Sequence, residues 1–119
     1  MKPSERDPLL YLEDMLVAMK RVGEYTLGLD FQQFKWDYKT VDAVTRNFQV
    51  IGEAAKNIPP DIRLNYSGIP WDEMYGLRNR IAHEYFGIDY EIIWEIATVH
   101  LPRNQEDIER IINHLKSGI

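Results

Sequence analysis

Apolar residues return at intervals of three and four along nearly the whole chain, and no segment alternates with period two. That pattern builds helices with one apolar face and does not suit a half-buried sheet. Leu9, Leu12, Met15, Leu16, Met19 and Val22 mark a first helix from about Pro8 to Leu27. Gly28-Leu29-Asp30 ends it, and Asp30 is placed to cap a short turn through Phe34. Val41, Val44, Phe48, Ile51 and Ala55 predict a second long helix from about Thr40 to Asn57, closed by Pro59-Pro60. Asp61 to Asn65 can form another short turn. Pro70 opens a third helix that runs to about Phe86 and stops at Gly87. Asp72 and Glu73 lie in its first turn, where the helix dipole favours acids. A fourth helix begins near Asp89 and carries Ile92, Ile93, Ile96 and Val99. Pro102 is expected to kink or break it before Ile108, Ile111, Ile112 and Leu115 continue the apolar face. The expected fold is all-α, an up-and-down antiparallel bundle of four to five helices.

A chain of 119 residues has room for a single domain with one core. With 45% of its residues apolar, that core can be substantial. The absence of cysteine excludes a disulfide framework, a thiolate metal site and a thiol nucleophile. The charged segment from Met1 to Asp7 lacks the apolar stretch of a signal peptide, and no apolar run reaches membrane-spanning length. The expected location is therefore the cytoplasm, with no membrane partner. The net charge of −5 argues against a broad basic surface for nucleic acid. It leaves room for a local basic site, or for a partner that carries the positive charge.

The third helix holds an anomaly. With about 100° per residue, Trp71, Met74, Ile81, Ala82 and Tyr85 all fall within about 60° of Arg78. An arginine thus occupies the face that should be buried, where it must be paired, snorkel, or face a site or a subunit interface. Asn79 and His83 lie four apart on one flank of that face, and Tyr85 returns almost above Arg78 two turns on. Guanidinium, amide, imidazole and phenol are gathered along one side of one helix. By itself this arrangement also suits a structural ion pair, a satisfied core histidine and an ordinary core tyrosine.

Leu77-Arg78-Asn79-Arg80-Ile81-Ala82-His83-Glu84-Tyr85 resembles the Arg-polar-x-x-x-His motif of the HEPN superfamily, in the Arg-x-x-x-x-His-x-Tyr form of HepT-like toxins. Ala43-Val44-Thr45-Arg46, Ile51-Gly52-Glu53-Ala54-Ala55-Lys56, Ile69-Pro70-Trp71, Tyr85-Phe86-Gly87-Ile88-Asp89 and Trp94-Glu95 are similar to that family too, in the same order. The resemblance implies a metal-independent endoribonuclease, the toxin of a toxin–antitoxin pair, with Arg78, Asn79 and His83 as its catalytic residues. It also implies a homodimer that apposes the two motifs, and a small nucleotidyltransferase antitoxin that silences the enzyme by adding AMP to Tyr85.

The residue chemistry fits an RNA substrate. Cleavage by the RNA's own 2′-hydroxyl needs a base, an acid and positive charge at phosphorus. His83 can move protons near neutral pH, and Arg78 offers a planar fork to a phosphate. Asn79 can donate to a phosphate oxygen or orient the imidazole. Glu53 on the second long helix could hold Arg78 in place, or could simply be an exposed carboxylate. His100 and His114 are expected to face solvent. His83-Glu84 lacks the second histidine of a zincin motif, and there is no glycine-rich phosphate loop and no nucleophile elbow. Neither metal nor cofactor is indicated. Two other readings stay open: a HEPN module without catalysis that serves as interaction partner or modification acceptor, and a plain helical scaffold in which Arg78 is a buried ion pair.

Overall fold

The computed structural model describes residues 6–83 and 89–118, and of residues 78–83 the backbone alone. Its elements in chain order are α1 (Pro8–Thr26), α2 (Phe31–Trp36), α3 (Tyr38–Lys56), α4 (Pro60–Asn65), α5 (Trp71–His83), α6 (Tyr90–Glu95), a π-helical segment (Ile96–His100) and α7 (Leu101–Lys116). The architecture is the expected all-α up-and-down bundle. Stretches 84–88, where the sequence carries the third helix on to Phe86 and Gly87, lie outside the described residues.

Helices α1, α2, α3 and α6 each begin where a short acid covers free N–H groups. Asp7 accepts from the Leu9 amide at 2.9 Å, one residue before Pro8 opens α1. Asp30 and Gln33 cap α2 reciprocally: the Gln33 amide donates to Asp30 Oδ1 at 2.8 Å and the Asp30 amide donates to Gln33 Oε1 at 2.9 Å. The helix continues two residues beyond the expected end at Phe34. Asp37 accepts from the Thr40 amide at 3.1 Å and from its hydroxyl at 2.8 Å, so α3 starts at Tyr38 rather than Thr40. Asp89 accepts from the Ile92 amide at 3.1 Å and opens α6. At the other end of α1, Gly28 takes φ +80°, a left-handed conformation costly for a residue with a Cβ.

The core lies between the long helices. Leu12, Met15, Met19 and Val22 of α1, Val44, Phe48 and Ile51 of α3, Met74 of α5 and Ile108 of α7 are all buried. Each such side chain contributes about 1.5–3 kcal/mol by leaving water. α3 packs against α1 on one side and α5 on the other, while α7 packs along α1. Glu13 of α1 pairs with Lys116 at 3.2 Å and Lys20 with Glu109 at 3.7 Å, so α1 and α7 run antiparallel. The small α2 places Phe34 beneath Trp94, with ring centroids 5.1 Å apart.

Pro102 does not break the last helix. Residues 90–116 stay helical throughout, with a π turn just upstream of the proline. Proline has no N–H for the Thr98 carbonyl, and its ring crowds that group. The turn widens: the Leu101 amide bonds to the Ile96 carbonyl, and Thr98 Oγ1 donates to the Trp94 carbonyl at 2.7 Å.

The two hydrogen bonds from Thr40 hold the Asp37 carboxyl below its ordinary value of 3.8, the side-chain bond first and the backbone bond second. A folded-state pKa below the unfolded one means that ionised Asp37 stabilises the fold above the ordinary value, and that this contribution is lost as pH falls through the lowered one. Asp37→Asn keeps a capping side chain but cannot ionise. Its stability deficit at neutral pH, read by urea denaturation, is expected to shrink as pH drops from 3.8 downward. A deficit that stays constant over that range would overturn this role.

Candidate functional site

The start of α5 is fixed by Trp71, whose ring N–H donates to the Tyr66 carbonyl at 3.0 Å and whose side chain is buried. From there the backbone continues as helix through Arg78, Asn79 and His83. The side chains of these three residues, and the whole of Tyr85, lie outside the described residues, so their grouping is a matter of helical register. Trp71, Met74 and Leu77 point into the core, whereas Asp72, Glu73 and Tyr75 are exposed. The direction of Arg78 lies about 20° from Trp71 and about 40° from Met74, within the core-facing arc. Leu77 is buried as well, about 100° from the Arg78 position on the same side as Met74. By register the Arg78 position falls between those of buried Met74 and buried Trp71.

Asn79 and His83 fall on a different side. Their register is within about 20° of exposed Asp72. Two polar positions four apart, next to an arginine position on the same helix, are a spacing that suits an active surface.

Glu53 stands on α3, the helix that packs along α5. It is exposed, and its position is about 140° around the helix from core-facing Phe48. Its carbonyl accepts from Asn57 Nδ2 at 2.9 Å. A pair between Glu53 and Arg78 lies outside the described residues. Glu53 does line a groove of about 520 Å³ between the N-terminal part of α1 and the outer side of α3. In that groove Arg6 binds Asp14 at 2.8 Å and lies over the Tyr11 ring at 4.6 Å. The hydrogen bond to Asp14 is the main reason that the Arg6 guanidinium holds its proton more firmly than usual.

Two features of α3 are absent from the sequence-based site. Asn47 is a buried polar side chain in a row of apolar ones, with its amide donating to the Ala43 carbonyl at 2.8 Å. A polar residue at a core-facing position was the signal that could have found it. Arg46, its neighbour, reaches the groove. The other histidines are exposed as expected: His100 lies 3.6 Å from Glu95, and His114 bonds through Nδ1 to the Tyr66 hydroxyl. Among the described residues no group of three or more histidine and carboxylate side chains is gathered as for a metal ion, and no helix is long and apolar enough to cross a membrane.

Comparison with known proteins agrees with this arrangement. The family described as "Ribonuclease HepT-like" matches residues 15–111. A protein of Methanocaldococcus jannaschii named "Putative RNase MJ0127" is 41% identical over 112 residues, 94% of this chain and 93% of that protein. The "Probable ribonuclease HepT" of Thermococcus cleftensis is 38% identical over 111 residues, covering 93% of this chain and 98% of its own. No solved structure matches the chain. With a helical bundle of the right kind, the Arg-Asn-x-x-x-His register on its third long helix and full-length relatives of this closeness, the chain belongs to the HepT-like ribonuclease family.

Proposed function

We propose that this protein is a metal-independent endoribonuclease, the toxin of a toxin–antitoxin pair, which works as a homodimer and is silenced when a nucleotidyltransferase partner adds AMP to Tyr85. The observation that carries this reading is the register of α5, which sets the Asn79 and His83 positions in line with exposed Asp72 and the Arg78 position beside them. The names of the relatives as ribonucleases support it.

In the proposed reaction one His83 takes the proton from the RNA 2′-hydroxyl, and O2′ attacks the adjacent phosphorus. The bond from phosphorus to the 5′-oxygen breaks, and that oxygen leaves with a proton from a second acid. The products are a 2′,3′-cyclic phosphate and a 5′-hydroxyl, with one proton removed and one supplied. Arg78 holds the phosphate oxygens as negative charge builds up on them, and Asn79 donates to the same group or orients the imidazole. One chain offers one such histidine, and the second comes from a partner copy. The partner is expected against the side of α5 that carries exposed Asp72 and Tyr75.

Purified protein is expected to cut single-stranded RNA in excess EDTA and to leave cyclic-phosphate ends. His83→Ala should lower the rate by about 10²–10⁴-fold, the usual worth of a positioned proton-transfer group. Loss of cleavage in EDTA with recovery in magnesium would overturn the mechanism, and an inactive wild type would leave a non-catalytic module as the reading. The dimer has its own check. Light scattering should give twice the chain mass at micromolar concentration, and a mixed dimer of wild-type and His83→Ala chains should have far less than half the wild-type rate. A monomer with full activity would refute it.

Control at Tyr85 rests on the sequence. On the helical wheel that the sequence pattern implies, Tyr85 falls about 20° from Arg78, two turns further on, so a phosphodiester there would bring negative charge to the guanidinium meant for RNA. After incubation with the partner and ATP, wild-type protein should gain one AMP by intact mass and stop cutting RNA. Tyr85→Phe should fold normally and gain nothing. An AMP adduct on the Tyr85→Phe protein, or modified wild type that still cuts, would refute the assignment.

A further inference from the structure

The groove between α1 and α3 has a composition that the proposed cleavage chemistry does not use. Its volume of about 520 Å³ falls within the range of about 300–1,000 Å³ common for small-ligand sites. Its floor is apolar, formed by half-buried Val50, buried Ala54 and buried Tyr11. Its charges are unequally matched. Arg6 and Asp14 neutralise one another at 2.8 Å, and Glu53 is engaged in an interaction of its own. Arg46 is exposed on the groove wall and forms no ion pair with any of the described residues. Gln49 stands one turn further along α3 and also lines the groove.

We propose that this groove is a nucleotide-binding subsite for the RNA strand, with Arg46 as its phosphate ligand. The proposal rests on the ribonuclease reading and extends it to where the strand lies beyond the bond that is cut. A free guanidinium fork is matched to a phosphodiester oxygen pair. On a chain with net charge −5, an arginine left without a carboxylate is where a polyanion gains most and loses least. The apolar floor takes the face of one base, and the Gln49 amide can both donate to and accept from a base edge. Arg46 beside an apolar lining, with Arg6 already paired to Asp14 and with Glu53 in the same groove, fits one nucleotide unit of a strand and disfavours a compact polyphosphate. Glu53 also ties the groove to the active surface, since it lies on the helix that packs along α5.

The test measures RNA binding apart from cleavage. In a His83→Ala background, a short fluorescein-labelled single-stranded RNA is titrated by anisotropy at several salt concentrations. Adding Arg46→Ala is expected to weaken binding by about tenfold and to reduce the slope of log K against log salt by about 0.7, the value for one single-strand phosphate contact. Arg46→Lys should recover part of the affinity by restoring charge without the fork. Arg103→Ala, at an exposed arginine of α7 outside the groove, should change neither quantity. Unchanged binding in Arg46→Ala, with wild type still cutting RNA, would overturn the subsite and leave the ribonuclease reading intact. Equal weakening by Arg103→Ala would also overturn it, since the effect would then be diffuse charge. Wild type that neither binds nor cuts RNA would overturn the ribonuclease reading itself.

Discussion

The packing of α3 between α1 and α5 is the constraint on which everything else depends. Phe48 and Ile51 have essentially no exposed surface, and Val44 and Ala55 complete a buried strip on the helix that packs against both neighbours. Because one face of α3 is fixed by this burial, the opposite face is fixed too. Arg46, Val50, Glu53 and Asn57 must then form a row along the outside, with Arg46 and Glu53 about 10 Å apart along the axis. The groove is therefore a consequence of the core. The register of α5 against α3, held by Trp71 and Met74, sets in the same way which positions of the third long helix face outward.

Much of this was legible in the sequence because it depends on period and caps. Helix existence follows from spacing of apolar residues, and the four acids at helix starts act within two or three residues of themselves. Boundaries moved by one or two residues where a cap competed with the apolar pattern, as at Asp37. Pro102 does not break the helix, for a physical reason. Its missing N–H forbids one bond, but a helix packed along its length has more to lose by breaking than by widening one turn.

The motif on α5 was visible as residue types at a helical spacing, which requires no tertiary information. The groove was not visible, because it takes residues from the start of α1 and the outer row of α3, and no local pattern says that these approach. Arg46 stood in a stretch that resembles the family, yet its lack of a carboxylate partner emerges only once the neighbours are placed. Charge balance in a groove is a tertiary property, whereas amphipathicity is a local one.

The π turn has a consequence beyond relieving Pro102. Its i→i+5 bonding holds more residues than an ordinary turn, so the helix phase slips between α6 and α7. The two halves of one rod can then address different neighbours: α6 meets α2 through Trp94 and Phe34, and α7 meets α1 through buried Ile108 and the flanking ion pairs. The segment acts as an angular gear set by one proline. Removing a single residue from 96–100 would restore common pitch and leave one half facing its neighbour with the wrong side. The length of this short stretch is therefore a quantity that variation among such chains is not free to change, even though several of its residues, such as Val99 and His100, are exposed and open to substitution.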